Sequence, residues 1–116
     1  MVKSHNDVSA LKGAVAVSLD DSPGLLVQTG PTLLYSMHFA NTVAGVSYIQ
    51  LFNAAALSNV TLGTTTPTVS IPVNTSGVLN MDLSKPLNFP LGLCAFSTTT
   101  ATGSSAAIQH GTFFYA

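Results

Sequence analysis

Hydrophobic and polar positions alternate along this chain in short runs, and turn residues separate one run from the next. The runs are AVAVSL (14–19), LLVQT (25–29), TLLYSMHFAN (32–41), VSYIQLFN (46–53), TVSIPV (68–73), VLNMDLS (78–84), LGLCAFSTT (91–99) and AIQHGTFFY (107–115). In the fourth run Val46, Tyr48 and, less cleanly, Gln50 alternate with Ser47, Ile49 and Leu51, the two-residue period of a strand with unlike faces. Between the runs stand DDSPG, Gly30-Pro31, NTSG (74–77), Lys85-Pro86 and TATGSS (100–105). Pro23-Gly24 suits a turn that needs φ near −65° and then a positive φ. NTSG reads as a hairpin connection, and Lys85-Pro86 as a break in the chain. VTLG (60–63) and TTTP lead into the fifth run. AAALS (54–58) is the one stretch of good helix formers, with room for one or two turns.

Eight short strands, with a turn roughly every 8–14 residues, predict an all-β protein. The expected architecture is an antiparallel β-sandwich, jelly-roll-like, formed by residues 14–116 as one domain. Threonine, valine and aromatic residues, which fit a half-buried pleated surface, supply most of it. Residues 1–13 (MVKSHNDVSALKG) show no such alternation and carry two of the three lysines and one of the three histidines. They read as an N-terminal arm.

Composition narrows the chemistry. Among 116 residues, 6% are charged against the usual quarter or so, and there is neither arginine nor glutamate. Lacking arginine, the chain has no bidentate clamp for phosphate or carboxylate. Lacking glutamate, it cannot be an HExxH metalloprotease or a paired-glutamate glycosidase. Three scattered lysines and a net charge of −1 leave no electrostatic footprint for nucleic acid. The stretch from Ser22 to Met81 has no charged side chain, yet proline, glycine and asparagine interrupt every window that could span a membrane. AVAVSL followed by Asp20-Asp21 does not read as a cleaved leader, so manufacture in a reducing cytoplasm is expected. The lone Cys94, inside LGLCAF, reads as a small buried hydrophobe.

Catalytic and metal motifs are thin. His38 and His110 lie in strand runs, and an orienting carboxylate for a Ser-His-Asp arrangement would have to be Asp20, Asp21 or Asp82. The G-x-S-x-G pattern is missing, since Gly45-Val46-Ser47-Tyr48-Ile49 lacks the second glycine. No catalytic residue, cofactor or metal ligand set is assigned, although a histidine such as His38 or His110 from each of three subunits could meet on a three-fold axis. Asn59-Val60-Thr61 and Asn74-Thr75-Ser76 match the glycosylation sequon, as expected by chance in a chain rich in threonine and asparagine. The nine aromatics fall mostly within strands and read as core. In Phe113-Phe114-Tyr115, however, alternation must send the side chains to both faces.

A surface this poor in charge does little to repel copies of itself, which points to packing in an assembly. The segment YIQLFNAAALSNVTLGTTTPTVSIPV (Tyr48 to Val73), followed by LGLCAFSTTTATGSS (Leu91 to Ser105), resembles small virion structural proteins of tailed bacteriophages. That resemblance covers roughly two-thirds of the chain and names no catalytic residue. It implies a non-enzymatic capsid decoration, or cement, protein: a homotrimer on the outer capsid whose partner is the major capsid protein, stabilising the head without nucleic-acid or membrane binding. Capsid contacts are expected from Lys3, His5, Asp7 and Lys12 in the arm and from Asn53, Leu57 and Asn59 in the 53–60 loop. Subunit contacts are expected from Tyr48, Phe113 and Tyr115. The alternative is a trimeric tail or fibre module that binds a receptor or glycan, or a head–tail adaptor component.

Overall fold

A computed structural model describes residues 13–105 and 107–116. Eight strands follow one another: β1 (Gly13–Leu19), β2 (Leu25–Thr29), β3 (Thr32–Asn41), β4 (Ser47–Asn53), β5 (Val69–Val73), β6 (Val78–Phe89), β7 (Gly92–Thr98) and β8 (Gln109–Tyr115). Among the described residues a single 3-10 turn, Leu57–Asn59, interrupts them; it begins where AAALS ends, with Ala56 extended, so the three alanines stay outside it. The strands form two four-stranded antiparallel sheets, ordered β1-β8-β3-β6 and β2-β7-β4-β5. This is the strand order of an eight-stranded jelly roll. The chain changes sheet at every connection except β4–β5.

Two local expectations are corrected by this topology. NTSG does make a tight turn, with Gly77 N donating to Asn74 O at 2.8 Å and Ser76 at φ 54°. It joins β5 of one sheet to β6 of the other, so it is a corner between sheets and not a hairpin. Lys85-Pro86 does not stop its strand. β6 continues through both residues to Phe89 because it is an edge strand, where a missing N–H can face away from the ladder. The pairing with β3 absorbs the irregularity in a register shift between Leu34 and Ser36. Gly13, assigned to the arm by its sequence, is the first residue of β1.

The core lies between the sheets. Leu19, Leu34, Met37, Phe39, Phe89 and Phe113 from the first sheet meet Ile49, Leu51, Val73, Leu93 and Ala95 from the second. Phe39 and Phe113 pack with ring centroids 4.9 Å apart. One glycine is required by the pairing itself. A Cβ on Gly111 would collide with the His38 carbonyl and lie 2.6 Å from the Phe39 ring, so β8 can sit beside β3 only with no side chain there. At one end of the sandwich Asn41 ties the corners together. Its amide nitrogen donates to the carbonyls of Gly45, Val73 and Asn74 at 2.9–3.1 Å, while its oxygen accepts from Val43 N and Ser47 Oγ.

Candidate functional site

The outer faces of the two sheets are finished differently. The second sheet is roofed by its own loops. Phe52 and Phe96 point outward from β4 and β7 and stack edge-to-face at 5.6 Å. The β4–β5 loop folds over them, so that Ala54, Leu57, Val60, Leu62 and Cys94 complete a second small core. Beside it, outward-pointing Gln50 donates from Nε2 to Thr98 Oγ1 at 2.7 Å and to Gly103 O at 3.1 Å, which holds the β7–β8 loop down. Ser70 Oγ donates to Ala101 O at 2.7 Å on the same loop. As a result β7 is buried along its whole length. Cys94 lies under this roof, donating weakly to Ala54 O at 3.5 Å, and burial pushes its thiol pKa up from 9.0.

No comparable roof covers the first sheet among the described residues. Its outer face runs in cross-strand rows fixed by register: Ser18, His110, Ala40 and Val78; then Thr112, His38 and Asn80; then Ala14, Phe114, Ser36 and Asp82. Val78, at the end of the first row, is 67% exposed, and Ile108, just before β8, is 44% exposed. The described charged side chains are Asp20, Asp21, Asp82 and Lys85, and of these Asp82 stands in the rows just named.

Two histidines give the face its polar character. His38 Nδ1 lies 2.9 Å from Asn80 Oδ1 and its Nε2 3.4 Å from Asp82 Oδ1, while its ring meets Phe114 edge-on at 5.8 Å. His110 Nδ1 lies 2.7 Å from Ser18 Oγ. The parts of a Ser-His-Asp relay are therefore divided, serine on one histidine and aspartate on the other, and no single imidazole bridges both. Hydrolysis also needs free donors aimed at a developing oxyanion. β3 and β8 each have a strand on both sides, so their backbone N–H groups are used in the ladders. Among the described residues no cavity is found, and no three metal-ligating side chains gather.

The residues singled out from sequence are scattered by the fold. Lys3, His5, Asp7 and Lys12 lie outside the described residues. Asn53 is half-buried, its Oδ1 accepting from Leu91 N at 2.8 Å. Leu57 packs into the second core, whereas Asn59 is exposed. Tyr48 is half-buried on β4 between Pro72 and Thr98. Phe113 is corrected as a subunit contact, because it is 0% exposed and belongs to the core. Tyr115 is half-buried beside Gly13, paired with it in register. The aromatic of the Phe113-Phe114-Tyr115 run that reaches the outer face is Phe114, in a row with Ser36. Period-two counting forward from Gln109, which is buried, puts Phe113 inward and Phe114 outward.

Comparison with known proteins gives no match: no family model, no curated protein and no solved structure is significantly similar to this chain.

Proposed function

We propose that this protein is a non-enzymatic structural component of a virion, a capsid decoration protein that attaches to the outer shell as a homo-oligomer and reinforces it mechanically. The observation that carries the reading is the asymmetry of the two outer faces. One is sealed by the chain's own loops, and the other, which nothing among the described residues roofs, presents Ala, Ser, Thr, Asn, Val, His and Phe side chains with one aspartate among its rows. Little charge must be stripped of water when such a face is covered, so burial of its apolar atoms is gained with a small desolvation cost. A specific contact needs upwards of about 1,000 Å², and many copies acting together make individually weak contacts effective. The phage resemblance supplies the partner, the major capsid protein, and the expectation of three-fold clusters. Jelly rolls also serve as lectins and cupins, so the fold by itself does not choose among these roles.

The test is co-sedimentation of the purified protein with stripped tailed-phage heads. Thr112→Lys and Val78→Asp on the open face should lower the bound fraction at least tenfold. Ser104→Lys, on the exposed part of the roof, should leave it unchanged. A wild-type protein that stays in the supernatant, monomeric by light scattering, overturns the reading.

A further inference from the structure

Each four-stranded sheet has two edges, and three of the four edges carry a guard. β6 bears Asp82, Lys85 and Pro86. β5 is five residues long and contains Pro72. β2 is equally short and bulged between Leu26 and Gln28. Short length, proline, charge and bulges are the devices that keep sheet edges from pairing with other chains.

β1 carries none of them. Its sequence, GAVAVSL, has no charge and no proline, and its pairing with β8 runs through seven consecutive residue pairs from Gly13↔Tyr115 to Leu19↔Gln109 without a shift. On its other side no described strand pairs with it. Val15 and Val17 pack toward the core yet remain only partly buried, so among the described residues this border of the core is incompletely covered. A strand added there would complete the backbone hydrogen bonds of β1 and cover both valines.

We propose that the β1 edge is a homotypic docking site, at which a second copy of this chain pairs its own β1 antiparallel to the first. The occupant follows from chemistry on the page. A regular, neutral strand with no device against pairing can complement a copy of itself, and a two-fold axis places each β1 against an identical edge that no described strand covers. The product is a continuous eight-stranded sheet, ordered β6-β3-β8-β1 and then β1-β8-β3-β6 of the second copy, that joins the open faces of two molecules into one surface. An isologous contact closes on two copies, so around a three-fold cluster it would tie one cluster to the next. About seven residues a side is well below the twenty to thirty of a standard interface, so the isolated pair dissociates on dilution. The inference does not depend on the virion reading.

The experiment uses Ala16→Cys in the full-length chain, with Ser104→Cys as control. Ala16 is at the middle of β1, where a two-fold brings the same residue of both copies together. Mild oxidation of the native protein should yield disulfide-linked dimer at least tenfold faster for the first variant, and dilution should abolish the difference. Val17→Lys, an inward-facing charge at the edge, should shift the scattering mass toward monomer. If that variant fails to fold, the cross-linking result alone decides. Equal cross-linking of the two cysteine variants overturns the proposal. So does protection from hydrogen exchange of those β1 amides that point away from β8, in a protein that scatters as a monomer, which would show the edge covered from within its own chain. Loss of cross-linking with head attachment intact would refute this edge and leave the proposed function standing.

Discussion

Single residues decide where this fold can and cannot move, and Cys94 shows it through a proton. Its thiol lies against Ala54 O within the cluster of Phe52, Ala54 and Phe96, and that apolar surrounding disfavours the thiolate. The folded-state pKa is therefore raised above 9.0, while the unfolded chain ionises near its ordinary value. Well below pH 9 the thiol is protonated in both states and contributes no slope. Above it the unfolded state loses its proton first, so stability falls as pH rises toward the folded-state value, by at most about 1.4 kcal/mol per pH unit. Urea titrations at pH 8 and pH 10 should show the midpoint dropping. Cys94→Ala should be weaker at pH 8, through its cavity, but should drop less between the two pH values. An identical drop in both proteins would mean that the thiol is not the group responsible.

At the scale of elements, strands were legible and coverings were not. All eight strands can be read from alternation to within a residue or two, except that β6 runs on to Phe89, because a proline is tolerated on an edge that the sequence alone cannot identify. Which sheet each strand joins is a long-range matter, and NTSG illustrates why. A tight turn is encoded locally, but whether it closes a hairpin or turns a corner depends on partners far along the chain. The roof is likewise hidden, since Leu57, Val60 and Leu62 look like loop residues until they are seen to face Phe52 and Phe96. The same holds for the site. Phe114 follows from parity, whereas the meeting of His38 with Asp82, forty-four positions away, needs the β3–β6 register. Of the roof's polar anchors, Gln50 can be removed while Ser70 stays on Ala101 O. Gln50 Nε2 is the donor that links β4 to the carbonyl of Gly103. Gln50→Leu should fill the same space without that bond, costing about 1–3 kcal/mol. Amide exchange in residues 99–105 should quicken at least tenfold, while β3 and β8 keep their protection. Uniform acceleration across both sheets would mean that the loop is not a separate cover.

For the whole molecule the governing quantity is charge, or its scarcity. Proteins that meet their partners by electrostatic attraction lose affinity as salt rises, because the exposed charges are screened beyond about 8–10 Å at ordinary ionic strength. Here the outer face of the first sheet has Asp82 as the charged member of its rows, with His38 beside it and His110 two rows away. Association through that face must draw on buried apolar area and hydrogen bonds between neutral groups. Raising sodium chloride from about 50 mM to 1 M should then change the self-associated or head-bound fraction less than twofold. Sulfate, which is excluded from protein surface and strengthens burial, should increase it. A steep loss of binding in sodium chloride would instead assign the attachment to the few charged side chains, and the open face of the first sheet would no longer be the surface on which this protein works.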